Sequence, residues 1–174
     1  MKLFLVAVFV LLQAFVIAGC GARNYPRGGL GMDGGLDGVG GECGTMNQTA
    51  CETFILINQE RAKNGLPSLK PYDRCIGMAQ EQSDDMDQRG YFAHDRPAFP
   101  DRPAESFSAR MGRWGLGGGG GENIARTGSP AGAVSGWMNS PGHRANILNT
   151  NWVGSGIGYT DGLYTQCFSV SGPQ

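Results

Sequence analysis

The chain has 174 residues, of which 17% are charged, and its formal net charge is −1 at pH 7. This near-neutral balance argues against a nucleic-acid-binding protein, because binding to phosphates requires a basic surface. Two N-terminal segments differ in composition from the rest of the chain, and residues 51–174 that follow them have the length of one domain.

The first 19 residues predict a secretion signal. Lys2 precedes a nearly unbroken apolar run that ends in small residues, which is typical of a secretory leader. The segment Ile17-Ala18-Gly19-Cys20 is similar to the lipobox of bacterial lipoproteins, and this similarity implies cleavage before Cys20 and attachment of a lipid such as palmitate. An uncleaved membrane helix is the alternative, since the apolar run is only a little shorter than the about 20 residues that span a bilayer.

The segment after Cys20 is rich in glycine. Ten of the 25 residues from Gly21 to Thr45 are glycine, so the segment cannot bury enough apolar surface to offset its ordering entropy. We expect residues 20–50 to form a flexible tether that holds a domain at 51–174 away from a membrane. Gly21 replaces the aspartate associated with inner-membrane retention, so we expect the outer membrane in a two-membrane cell, or the surface of a single-membrane cell.

Four cysteines remain if Cys20 carries lipid: Cys43, Cys51, Cys75 and Cys167. An even number of cysteines in an exported chain predicts two disulfide bonds. Three connectivities are open at this stage. A zinc site of four thiolates is the rival interpretation, but the wide spacings without a C-x2-C pair argue against it.

The periodicity of the domain predicts helices in its middle and strands near its end. Apolar residues at helical spacing indicate helices at about 51–64, 72–89, 105–114, 130–139 and 141–148. Ser129 and Ser140, each followed by proline, are predicted to cap the last two. A strand with Glu122 should follow a mobile loop at 117–121, and strands at 156–160 and 163–170 flank a hairpin turn. These elements predict an α+β domain.

Both histidines of the chain lie in short distinctive segments, His94 in YFAHD and His143 in NSPGHRANIL, with Glu122 of GENIA between them. Neutral imidazole is the commonest metal ligand, and a carboxylate oxygen can complete a three-ligand set. We expect His94, Glu122 and His143 to form a divalent-metal site, with zinc as the first candidate. The alternative is structural: the two rings tie loops together, and Glu122 accepts a hydrogen bond from one of them.

Five segments follow one another across nearly the whole domain: NQERAKNGLPSL, YFAHD, GENIA, SGWMNSPGHRANIL and GIGY-DG-LYTQCF. They resemble the CAP superfamily of cysteine-rich secretory proteins, antigen 5 and pathogenesis-related proteins (the SCP domain) in its short bacterial form. The resemblance implies an α-β-α sandwich with a central, largely antiparallel sheet. It also implies a cleft of two histidines and two acidic residues, in which some members bind zinc, and His94, Glu122 and His143 match three of these four positions.

The second acidic residue of the family pattern follows the first histidine closely. In this chain the fifth residue after His94 is Phe99, and the nearby acids are Asp95, Asp101 and Glu105. None has a spacing that matches the pattern, so the fourth member of the cleft stays open.

Two classes of function follow. A binding protein would recognise a lipid, sterol, glycan or protein partner in the cleft, at the envelope membrane that holds the lipid on Cys20. An enzyme would be a metal-assisted hydrolase of envelope material, with His94, Glu122 and His143 as the candidate catalytic residues and metal-bound water as nucleophile. No G-x-S-x-G motif for a serine nucleophile occurs. We favour binding, and the sequence does not indicate an oligomeric state.

Overall fold

The computed structural model describes residues 40–173. The predicted signal, Cys20 and the tether as far as residue 39 therefore lie outside the described residues. Within the described part, none of the helices combines the length and the apolar character that are needed to cross a membrane.

Six helices and four strands are formed by residues 40–173. The helices are α1 (Gly40–Cys43), α2 (Gln48–Lys63), α3 (Asp73–Arg89), α4 (Phe107–Arg113), α5 (Pro130–Asn139) and α6 (Pro141–Ile147). The strands are β1 (Lys70–Pro71), β2 (Gly120–Arg126), β3 (Gly154–Thr160) and β4 (Leu163–Ser169). The five predicted helices are confirmed to within a few residues, whereas α1 and the two-residue β1 were not predicted.

The four strands form one sheet in the order β1-β3-β4-β2. β3 and β4 are the predicted antiparallel hairpin, joined by Asp161 and Gly162 with positive φ values of 42° and 81°, as a tight hairpin turn requires. β2 pairs antiparallel with β4, and β1 pairs parallel with β3. The largely antiparallel sheet is confirmed, but Gly120 and Gly121 begin β2 instead of belonging to a mobile loop, because they pair with β4.

Helix α3 lies directly on one face of the sheet, against β3 and β4. Gly156 and Gly158 permit this close approach. A Cβ atom at Gly158 would lie 2.2 Å from the carbonyl carbon of Ala79, and one at Gly156 would overlap the backbone of the same helix. The disulfide bond between Cys75 and Cys167 then joins α3 to β4 across the contact.

Helices α2, α5 and α6 cover the opposite face of the sheet. Alternate residues of β4 point to this side: Tyr164 and Phe168 are buried in one cluster with Phe54 of α2 and Trp137 of α5. The indole N–H of Trp137 donates to the backbone oxygen of Ile124 in β2 at 2.9 Å. With α3 on the other side, these helices complete the predicted α-β-α sandwich.

The folded domain begins before the predicted boundary at residue 51. Cys43 is buried and forms a disulfide bond with Cys51. The side chain of Asn47 caps α2 by accepting a hydrogen bond from the N–H of Ala50 at 2.9 Å. Residues 40–50, which were predicted as tether, are therefore part of the domain, because a disulfide bond and a helix cap attach them to it.

The two predicted serine caps have different outcomes. Ser129 Oγ accepts a hydrogen bond from the N–H of Gly132 at 3.1 Å, as expected. Ser140 makes no side-chain cap, so that prediction is wrong. Ser140 is shared by the end of α5 and the start of α6, and its backbone N–H closes α5 by donating to the carbonyl oxygen of Trp137 at 3.1 Å.

Candidate functional site

His94 lies in the segment that follows α3, which we call the histidine loop (residues 91–106). The helix ends at Gly90 in the left-handed conformation, with φ 69°, and the chain turns back toward the sheet. The loop is closed by two backbone hydrogen bonds between Arg96 and Glu105, of 2.8 and 3.0 Å. Gln82 of α3 donates to the backbone oxygen of Ala93 at 2.8 Å, which fixes the residue before His94.

Charged side chains attach the histidine loop to α3 and α4. Arg96 donates to Glu81 at 2.8 Å and to Gln82 at 2.9 Å, and Arg113 donates to Glu81 at 2.9 Å. Although desolvation raises the pKa of Glu81, hydrogen bonds from Arg113, Arg96 and Trp114 lower it to about 2. Glu81 is therefore ionised at every physiological pH, and it attaches the loop to α3 through its ion pair with Arg96.

The three acids that were left open as the fourth cleft member all have other partners. Asp101 forms a two-pronged ion pair with Arg89, at 2.8 and 2.7 Å. Glu105 accepts from Arg113 at 2.8 Å, and the side chain of Asp95 accepts from the backbone N–H of Phe107 at 2.7 Å. Each of these acids supports the loop, and none joins Glu122.

Glu122 is brought to His94 by strand β2. Its backbone pairs with that of Cys167, and its side chain points to the α3 side of the sheet and is 1% exposed. Glu122 Oε1 lies 2.9 Å from His94 Nδ1. A carboxylate only accepts hydrogen bonds, so Nδ1 carries the proton and Nε2 is the free nitrogen of the ring. The side chain of His94 is 47% exposed.

Arg110 of α4 completes this arrangement and was not predicted. Its Nη2 donates to Glu122 Oε2 at 2.7 Å, and both terminal nitrogens donate to the backbone oxygen of His94 at 3.1 Å. The Arg110 side chain is 0% exposed. A signal existed in the sequence: Arg110 stands three residues after Phe107 and next to buried Met111, which places it on the inner face of a short helix.

His143 reaches the same strand from the other side of the sheet. It lies in the first turn of α6, and its backbone oxygen accepts from Asn123 Nδ2 at 3.2 Å. Asn146 Nδ2 donates to Asn123 Oδ1 at 2.9 Å and to the backbone oxygen of Glu122 at 3.3 Å. These bonds attach α6 to β2. The two asparagines thus satisfy polar groups around the motifs.

The two imidazoles influence each other. Burial lowers the pKa of His143 below its usual range, and the positive charge of His94 lowers it further. The lowered pKa favours the neutral form of the His143 ring at pH 7.

His94 and Glu122 thus meet at β2, and His143 is attached to the same strand through its backbone oxygen, but the three residues do not form a set of free ligands. Both oxygens of Glu122 are engaged, one by His94 and one by Arg110. In the part of the chain that the structure describes, no group of three His, Cys, Asp or Glu side chains is arranged to hold a metal ion. The geometry agrees with the structural alternative, in which Glu122 accepts a hydrogen bond from a ring.

The largest cavity among those described lies elsewhere, between α2 and β1, with a volume of about 540 Å³. Its lining includes the apolar residues Phe54 and Leu69 and the polar residues Glu42, Asn58 and Lys70. Polar groups interrupt its apolar wall, so it differs from the long apolar groove that lipid binding favours.

Known proteins share this domain. The family model described as "CAP: Cysteine-rich secretory protein family" matches residues 54–169. YkwD of Bacillus subtilis (strain 168) is 37% identical over 118 residues, which are 65% of this chain and 44% of that protein. The chain therefore spans less than half the length of this relative.

Two solved structures are similar to the domain. An extracellular protein containing a SCP domain from Bacillus anthracis str. Ames is 35% identical, with a TM-score of 0.62 over 70% of this chain and 40% of that chain. An outer surface protein from Borrelia burgdorferi is 20% identical, with a TM-score of 0.57 over 67% of this chain and 87% of that chain. The second similarity concerns the fold alone.

Proposed function

The chain is a member of the cysteine-rich secretory protein (CAP) family, and on this premise we propose that it is a lipid-anchored envelope protein that binds its ligand through His94 and His143. The observation that carries the proposal is the orientation of His94. Its ring is half exposed, yet its Nδ1 is fixed by a carboxylate that is 1% exposed. A buried pair that orients an exposed ring is a feature of a binding site, since a merely solvated histidine needs no such support.

The chemistry of the site suits a hydrogen-bonding ligand. His94 presents Nε2 as an acceptor while Nδ1 donates to Glu122. His143 adds a second neutral imidazole, with one donor and one acceptor nitrogen. A polar group of an envelope glycan or protein can form hydrogen bonds with such rings.

The location of the protein is extracytoplasmic. Disulfide bonds Cys43–Cys51 and Cys75–Cys167 persist in oxidising compartments, and a solved neighbour at 35% identity is an extracellular protein. The anchor is a proposal that rests on the lipobox-like sequence ending at Cys20. A lipid there would keep the domain at the membrane, with the family domain facing the extracytoplasmic space.

The metal-dependent hydrolase is the weaker candidate. Catalytic zinc sites use three protein ligands and keep one position open. Here Glu122 already accepts hydrogen bonds through both oxygens, so the three residues do not fit that pattern as they stand. The proposal is therefore restricted to binding.

Co-sedimentation with isolated cell envelopes tests the proposed site. The full chain with Cys20→Ser, which cannot be lipid-modified, is mixed with envelopes from cells that lack the protein. We expect His94→Ala and His143→Ala each to weaken the association at least about tenfold, the equivalent of about 1.4 kcal/mol. Lys63→Ala is the control, because its side chain is 66% exposed at the end of α2, and it should bind like the parent. Equal binding by all four chains would refute the site.

The anchor is tested separately. The wild-type chain should fractionate with membranes after globomycin-sensitive maturation, and Cys20→Ser should release it. A wild-type chain that is soluble without its leader would contradict the anchor and leave the histidine site untouched.

A further inference from the structure

Arg110 contacts the one carboxylate that a metal ion in this site would need. Its guanidinium lies 2.7 Å from Glu122 Oε2, and the two side chains are 0% and 1% exposed. The second oxygen of Glu122 accepts from His94 Nδ1 at 2.9 Å. An incoming cation would therefore have to displace an existing donor before it could bind Glu122.

The charge of Arg110 adds to this steric obstacle. A guanidinium is protonated at every accessible pH, and its repulsion of another cation is weakly screened where water is excluded. Arg110 cannot swing aside easily, because it also donates to the backbone oxygen of His94. The same side chain thus neutralises Glu122 and fixes the loop that carries the exposed ring.

We propose that Arg110 is a specificity-determining residue: it is the built-in counter-ion of Glu122 and denies this carboxylate to divalent cations. The inference rests on the proposed function, because it concerns the same histidine pair. It deepens that function by stating the class of ligand. The ligand is a polar group that forms hydrogen bonds with imidazole, and it is not a cation coordinated by histidine and carboxylate together. Glu122 is then a positioning residue for His94.

Zinc titration by calorimetry tests this proposal, with zinc alone as the probe and the full chain purified in detergent. In an otherwise wild-type chain, Glu122→Gln should change the zinc affinity by less than about threefold, because the Gln side chain still accepts the hydrogen bond from His94. If Glu122 were a zinc ligand, its replacement should lower the zinc affinity by more than roughly tenfold, because even the loss of a supporting residue can lower the affinity by that factor. Arg110→Met should raise the zinc affinity at least about tenfold by freeing the carboxylate, and adding Glu122→Gln to that variant should abolish the gain.

Two controls keep the result interpretable. Arg110→Lys retains the positive charge and should not gain zinc affinity. Arg74→Met makes the same change at an exposed position of α3, where the side chain donates to the backbone oxygen of Gly115, and it should bind zinc like the wild type. Circular dichroism establishes that each variant is folded.

The outcomes separate the two proposals. A folded Arg110→Met chain without a gain in affinity overturns the role of Arg110. If that variant does not fold, the Glu122→Gln result decides. A loss of about tenfold or more would show that zinc binding needs the Glu122 carboxylate and would also overturn the inference, whereas an unchanged affinity supports it. Failure of the envelope co-sedimentation would instead refute the proposed function, whatever the zinc titrations give.

Discussion

Two of the sets of ion pairs that attach the histidine loop differ in burial. The outer set joins Glu81 and Glu105 to Arg113, whose side chain is 46% exposed. The inner pair of Arg110 and Glu122 is 0% and 1% exposed. Water and salt weaken an exposed pair, whereas breaking a buried pair leaves a charge without solvent or partner. The comparison indicates that the outer set supports the loop and that the inner pair determines where His94 lies.

The largest effect should come from breaking the inner pair. Arg110→Met leaves the buried Glu122 carboxylate without its guanidinium partner, and we expect the free energy of unfolding to fall by about 3–5 kcal/mol. Urea denaturation of wild type and variant measures the difference. A loss below about 1 kcal/mol would show that the buried pair is no more important than a surface pair.

The outer set should be much less sensitive. Arg113→Ala removes the pairs with Glu81 and Glu105, and we expect a loss of about 0.2–1 kcal/mol, as for other exposed ion pairs. The same denaturation experiment at about 1 M salt should reduce this loss further, because the screening length falls to about 3 Å. A salt-independent loss comparable to that of Arg110→Met would remove the distinction between the two sets.

Acid should weaken the outer set of ion pairs over a pH range that the pKa of Glu81 defines. The folded-state pKa of Glu81 is about 2, below the usual 4.5, so between these values the unfolded chain binds more protons than the folded chain. The contribution of Glu81 is therefore complete above about pH 4.5 and declines as the pH falls toward about 2. Denaturation curves across this range should show a smaller decline for Glu81→Gln than for the wild type; identical curves would contradict the assignment.

The smallest effect concerns His143. Burial, followed by the charge of His94, lowers the pKa of its ring, so its neutral form is favoured in the folded state. Its contribution to stability is complete above about pH 6.5 and is lost as the pH falls through the lowered value. NMR titration of the ring protons should show a midpoint below that of an unstructured histidine peptide, and a midpoint above it would be inconsistent with a partly buried ring.

The sequence predicted the parts of the fold that local patterns determine. Asp161-Gly162 can form a tight turn by itself, and proline after serine marks the start of α5 without reference to the rest of the chain. The expectation that His94, Glu122 and His143 share one site came from their residue types and their motif segments, and the family resemblance assigned the same three residues to one cleft.

The parts that were not predicted depend on contacts between distant residues. Asn47 caps α2 inside a segment whose glycine content indicates a tether, and the bond from Cys43 to Cys51 was one of three open pairings. Arg110 lies in a short helix with no motif of its own, so only the folded chain shows that it meets Glu122. The role of that carboxylate changes as a result, from a free ligand to the acceptor of two hydrogen bonds.

Nitrogen-15 NMR of the labelled chain at neutral pH can report which nitrogen of the His94 ring carries the proton. If Glu122 orients this ring, the neutral imidazole is protonated on Nδ1, with Nε2 unprotonated and free for a ligand. A His94 ring protonated on Nε2 at neutral pH, with no proton shared with Glu122, would contradict the proposed orientation and the binding site that depends on it.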